Sequence, residues 1–198
     1  MKMKKTWIII IIVVAALFFG YSYVKGMYNT MVVKSENVDA QWSQVENVYQ
    51  RRADLIPNLV NTVKGYASHE KETLEGVINA RAKASSVNIN AANMNAASMQ
   101  AFQQAQDGLS GALSKLMVVV EKYPELKANQ NFLELQAQLE GTENRIAVER
   151  KKFNETTRGY NTYVKLFPKN MFAGMFGFEQ KPYFESVKGA EVAPEVQF

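Results

Sequence analysis

The residues able to do chemistry are few, and their spacing suits none of the common mechanisms. His69 is the only histidine, and in HEKET it is followed by Glu70 but lacks the second histidine that a zinc-protease helix requires. The residue three before it is Tyr66, so the Glu-x-x-His pattern of a carboxylate-bridged metal pair is absent as well. With no cysteine in the chain, disulfides, thiolate metal sites and a lipid-modified cysteine are excluded. No glycine-rich loop carries a lysine for phosphates, and a serine triad would have to rely on His69 alone. These residues predict a protein that is not an enzyme, with no catalytic residue, no cofactor and no metal.

What remains is a set of polar residues in unusual places. Val38, Trp42, Val45, Tyr49, Arg52, Ile56, Leu59, Val63 and Tyr66 are spaced alternately by four and three, which is the pattern of a helix that buries one stripe. Arg52 falls inside that stripe. Glu149 does the same in a later series running from Phe132 through Ile146 and Phe153 to Phe167. Each either forms a buried polar contact that fixes register or snorkels from the stripe's edge, and the edge reading is preferred for both. Arg51, Arg52 and Asp54 together form the best candidate for a surface recognition patch.

Pro57 lies between Ile56 and Leu59 without changing the phase of the stripe, and RRADLIPN offers no glycine for a turn. A kink in a continuous helix is therefore expected rather than a break. That helix is expected to run from about Met27 to Ala84. The Asn/Ala-rich stretch SSVNINAANMNA (85–96) reads as a connector. Met99, Phe102, Gln106, Leu109, Leu113, Leu116, Val120 and Tyr123 then repeat the helical spacing until Pro124, and a third helix follows until Pro168. Residues 168–198 lose the period and are rich in aromatics. They are expected to pack on the bundle, since Phe172, Phe176, Phe178, Tyr183 and Phe184 left in water would form a large apolar surface, with capture of a partner as the alternative.

Trp7 to Val24 is an uncharged run of 18 residues. At about 1.5 Å per residue it spans roughly 27 Å, close to the thickness of a bilayer's hydrocarbon core. Bulky Tyr21 and Tyr23 argue against a signal-peptidase site, so the segment reads as a retained anchor. The net charge of +4 and a pI of about 9.1 are of the kind that suits nucleic acid. Lys2, Lys4, Lys5 and Lys25 flank the run, however, and without them the 23 basic residues fall to 19, equal to the 19 acidic ones. The basicity belongs to the anchor, no nucleic-acid partner is implied, and the lysines favour a cytoplasmic amino terminus with the rest of the chain outside.

The ordered blocks QWSQVENVYQRRADLIPNLVNTVKGYASHEKETLEGVINARAKA (41–84), YPELKANQNFLELQAQLEGTENRIAVERKKFNE (123–155), YNTYVKLFP (160–168), GFEQKPYFE (177–185) and APEVQF (193–198) resemble the LemA family over nearly the whole chain. YNTMV (28–32) after the anchor fits the same pattern. The resemblance implies a bacterial, membrane-anchored helical bundle without an established catalytic activity. The fold is expected to be all-α: an antiparallel bundle of long helices with an N-terminal transmembrane helix and an irregular aromatic-rich C-terminal tail. Its parts would be an anchor (1–26), a bundle (27–167) and a tail (168–198).

If the second helix flanks only the far half of the first, and the third runs parallel to the first, then Val38, Trp42, Val45 and Tyr49 lack intramolecular cover. Exposing them would forgo several kcal/mol of burial at about 25 cal/mol per Å². The expectation is that further copies in a homo-oligomer, or a membrane protein partner, cover this stripe, making the chain an interaction scaffold of the cell envelope. Capture of a peptide or lipid by the tail and the 85–96 loop is the alternative, as is a role as accessory to a neighbouring membrane enzyme.

Overall fold

The computed structural model describes residues 5–91 and 94–185, and among them there are six helices and no strand. They are α1 (Lys5–Tyr66), α2 (Lys71–Ser86), α3 (Ala96–Val120), α4 (Pro124–Lys127), α5 (Gln130–Lys165) and α6 (Lys169–Phe176). The all-α class expected from the helical spacing is what the chain forms. The last part of the tail, 186–198, lies outside the described residues.

α1 is one helix of 62 residues that passes through Pro57 unbroken. Proline lacks the N–H that would bond the carbonyl of Ala53, and that carbonyl instead accepts a 2.7 Å hydrogen bond from Arg81 Nε on α2. Pro57 thus frees an acceptor in the middle of the bundle, and a neighbouring helix uses it.

α1 ends at Tyr66, well short of the expected Ala84. Ala67 to Glu70 form a tight reversal in which the Glu70 N–H bonds the Ala67 carbonyl, and Leu74 on α2 bonds back to Glu70. Ala67 is buried in this turn, and its small side chain lets α2 fold back against α1. The extra reversal changes the direction of every helix after it. α5 runs antiparallel to α1, not parallel as expected, with Asn129 at Tyr66, Glu143 at Arg52 and Tyr163 at Lys34.

Local signals set the remaining boundaries. Asn95 caps α3: its side chain accepts from the Ser98 N–H while its own N–H donates to Ser98 Oγ, so two groups at the helix start satisfy each other. Pro124 opens α4, and the Asn129 side chain accepts from the Phe132 N–H to cap α5. α6 ends at Gly177, whose φ of 75° turns the chain so that the Phe178 N–H reaches the Ala173 carbonyl.

The core has two halves. One joins Ile56, Leu59 and Val63 of α1 to Leu74 and Val77 of α2, Leu109 and Leu116 of α3, and Phe132 of α5. The other, nearer the apolar segment, gathers Val38, Trp42, Val45 and Tyr49 with Phe102, Ile146, Phe153, Tyr160 and Phe184. Ile89 and Met94 of the 85–96 connector are buried in this second half, so the connector is partly core. On α5 the buried face shifts by one residue after Phe153, to Thr157, Tyr160, Asn161 and Val164, and Phe167 is left 79% exposed. A strict three-four count drifts from the true 3.6-residue period over a helix this long.

The start of α1 behaves differently from the rest. Trp7, Leu17, Phe18 and Phe19 are 61% to 70% exposed, and this is the single helix among the described residues long and apolar enough to cross a membrane.

The Pro57 contact generates a prediction. Pro57→Ala is expected to leave the fold intact, with a change within about 1 kcal/mol. Arg81→Met is expected to cost about 1.5 kcal/mol by stranding the Ala53 carbonyl, and to cost less in the Pro57→Ala background, where the new N–H serves it. Urea unfolding of the four proteins of this cycle checks it, and strictly additive costs would show that the carbonyl was never in need of Arg81.

Candidate functional site

The stripe expected to be open is closed from within the chain. Val38, Trp42 and Val45 are at most 1% exposed and Tyr49 is 6% exposed, so these four residues are core and offer no interaction surface. α5 covers one side because it returns antiparallel, and residues 178–185 cover the other. Phe184 stacks on the Trp42 ring at 5.9 Å, while Phe102 and Phe153 meet it edge-on at 5.2 and 5.5 Å. The indole N–H finds no hydrogen-bond acceptor among the described residues, and these ring contacts pack Trp42 on three sides.

Residues 178–185 are held without a neighbouring strand. The Asn161 side chain bonds both N–H and C=O of Lys181, Asn154 does the same for Phe184, and Gln103 for Glu185. Tyr160 donates to the Glu179 carbonyl at 2.8 Å, and burial raises its phenol above the ordinary value. Lys181 pairs with Asp39 on α1. Residues 178–185 thus lie on the bundle, tied to α1, α3 and α5.

Arg52, Arg51 and Asp54 do not form one patch. Arg51 and Asp54 face solvent, where Asp54 accepts from Gln50, while Arg52 points inward and is 2% exposed. Arg52 sits between the two halves of the core. Its Nη1 donates to Ser110 Oγ at 3.0 Å and to Glu143 at 2.9 Å, and its Nη2 donates to the side-chain oxygen of Gln106 at 2.6 Å. Its guanidinium also lies 5.2 Å from the Tyr49 ring. Burial pushes the Tyr49 phenol up from its usual value, opposed by the charges of Arg150 and Arg52. The snorkelling expected of Arg52 is thus replaced by a buried polar knot, because α3 and α5 bring acceptors to it.

Glu149 stays near the edge. Its carboxyl is held below the usual range by the Lys152 ammonium, against some desolvation, with a further hydrogen bond from Gln41. Lys152 reaches it from three residues further along the same helix.

The Arg52 knot is the inner end of a groove of about 370 Å³ between α3 and α5. Ser110, Leu113, Ser114 and Met117 form one wall and Gln136, Leu139, Glu140 and Glu143 the other. The groove escaped the sequence reading, though a signal for it was there: Gln106 occupies a stripe position on its helix as Arg52 does on α1, and two polar residues in two apolar stripes mark a place where the stripes meet. His69 is exposed, and no group of three or more His, Cys, Asp or Glu is placed to hold a metal among the described residues.

Residues 41–198 match the LemA family. The chain is 28% identical over 177 residues to magnetosome protein MamQ 2 of Paramagnetospirillum magneticum, covering 80% of this chain and 64% of that protein. It is also 28% identical over 174 residues to magnetosome protein MamQ of Magnetospirillum gryphiswaldense, covering 79% and 64%. Protein LemA of Metamycoplasma hominis is 22% identical over 170 residues, covering 86% of this chain and 74% of that one. The chain thus spans less than two thirds of the length of the magnetosome relatives.

The knot predicts unequal costs for its members. Arg52→Met leaves the Gln106 oxygen buried without a donor and is expected to cost about 2–3 kcal/mol in denaturant unfolding. Glu143→Gln is expected to cost less than about 1 kcal/mol, since the Glu143 side chain is 58% exposed and water already screens the pair. Equal costs would mean that the ion pair, and not the Gln106 contact, dominates.

Proposed function

The chain belongs to the LemA family, and from that premise we propose that it is a membrane-anchored helical interaction protein, without catalytic activity of its own, that holds the α3–α5 groove at a fixed height above a bilayer. The continuity of α1 carries this reading. One helix supplies the exposed apolar segment, then the buried stripe, then Arg52 at the floor of the groove. Val24 and Arg52 are separated by roughly 42 Å along the axis at about 1.5 Å per residue. An unbroken helix fixes that distance where a flexible linker would not.

The groove suits an amphipathic segment of a second membrane protein. Leu113, Met117 and Leu139 accept apolar side chains, and Glu140 with the solvent side of Glu143 accepts a basic residue. Its hydroxyls support binding over catalysis, because both are engaged with the backbone: Ser110 donates to the Gln106 carbonyl and Ser114 to the Ser110 carbonyl. A homo-oligomer joined through the Trp42 stripe loses its basis, because that stripe is internal. The flanking lysines favour a cytoplasmic amino terminus, with the bundle on the outer face of a bacterial cytoplasmic membrane.

Two measurements on one spheroplast preparation test this. Protease added outside is expected to digest the bundle, and full protection would reverse the orientation. A photo-crosslinking side chain at Leu113 is expected to yield one discrete adduct with another membrane protein, lost on Glu143→Lys, while the same group at the 67% exposed Val118 yields none. An adduct with a second copy of the chain, or equal adducts from both positions, would overturn the groove as a partner site.

A further inference from the structure

The end of α5 and α6 expose apolar side chains that the bundle does not use. Leu166 is 49% exposed, Phe167 79%, Met171 65%, Met175 66% and Phe176 40%. On α6 the division of faces is sharp. Ala173 is buried against the core, whereas Met171 and Met175, one turn apart, share the opposite side. Five exposed apolar residues within a stretch of eleven are a density that soluble domains rarely leave in water.

The position of this surface says what covers it. Phe176 packs edge-on against Tyr28 of α1 at 5.2 Å, and Phe178 does so at 5.6 Å. Tyr28 lies four residues beyond Val24, which places it about 6 Å along the axis from the end of the apolar run. The polar layer of a bilayer adds roughly 5–7 Å on each side of the hydrocarbon core, so α6 sits at headgroup level once α1 spans the membrane. Its charges suit that level. Lys169, at the start of α6, lies 4.1 Å from the Tyr163 ring and forms no ion pair among the described residues. Lys25 and Lys165 are exposed nearby in sequence to the span and to α6 respectively. Lysines beside an exposed apolar face are what a helix lying in an anionic membrane surface requires.

We propose that Leu166–Phe176 is a second membrane contact, an interfacial segment that dips Phe167, Met171 and Met175 into the headgroup layer beside the transmembrane part of α1. This rests on the reading of α1 as a membrane anchor. The two contacts come from opposite ends of the bundle's sequence and meet at Tyr28, so together they fix the tilt and rotation of the bundle, which a single span leaves free.

The absence of cysteine gives a direct test, because one introduced thiol is the only label site. Full-length chains carrying Met171→Cys, Leu17→Cys or Val118→Cys are labelled with an environment-sensitive fluorophore. They are reconstituted in phosphatidylcholine vesicles containing phosphatidylglycerol, with nitroxide lipids placed either near the headgroup or deep in the acyl chain. The label at 171 is expected to show a blue-shifted emission quenched mainly by the shallow nitroxide, at 17 mainly by the deep one, and at 118 by neither. If 17 is quenched and 171 matches the water-exposed 118, the interfacial contact is wrong and the anchor stands. A blue shift at 171 without quenching by either lipid would place the segment against protein, such as a second copy, and overturn the proposal. Loss of quenching at 17 would remove the anchor and the interfacial contact together.

Discussion

The apolar stripe of α1 has to be covered along its length, and only one element of the chain is long enough to do it. From Met31 to Val63 the stripe is buried, and α5, with 36 residues, extends about 54 Å at 1.5 Å per residue, which matches that need. The match works only if the two helices run in opposite directions, because α5 begins where α1 ends. α2, α3 and the 178–185 segment then fill the remaining sides. Arg52 interrupts the stripe between Tyr49 and Ile56, and its partners on α3 and α5 hold both helices in register with α1 at that level. A buried charge with this many hydrogen bonds tolerates few alternative registers, which is a more plausible role for it than a contribution to stability.

Residues 178–185 solve a different problem. An extended segment lying on helices has no β-ladder to satisfy its backbone, and Asn161, Asn154 and Gln103 replace the ladder with side-chain amides, each presenting one donor and one acceptor. Phe184 can then be driven between Trp42, Phe102 and Phe153 without stranding the polar groups beside it.

Much of the fold was legible in the sequence. The stripe of α1, its passage through Pro57 and the place of α3 follow from hydrophobic spacing and from proline positions, whereas the helix expected from Pro124 breaks after Lys127 and restarts as α5 at Gln130. The direction of the helices did not follow from them, because it turned on four residues. Ala67 to Glu70 contain no glycine or proline, and the apolar phase on either side allows a continuous helix, so the reversal depends on how α2 packs rather than on turn chemistry. With one reversal fewer, α5 would run parallel to α1 and the Trp42 stripe would lack cover. The site was less legible still: the amides that hold the tail lie off the expected three-four series, where polar residues ordinarily mean solvent, and the groove is a gap between helices that no single periodic pattern records. Arg52 stands out in its stripe as a charge, whereas Gln106, its uncharged counterpart in another stripe, does not.

The pairing of Asp39 with Lys181 spans 142 positions in the chain, and Trp42 waits on Phe184 across the same interval. During synthesis at about 5–20 residues per second, the first half of α1 leaves the ribosome roughly 7–28 seconds before its last neighbour. Early local structure can form around α2 and α3, but closure around Trp42 belongs to the end of translation. The apolar start of α1 emerges first and the indole soon after, so the newborn chain carries the Trp42 stripe uncovered for most of its assembly.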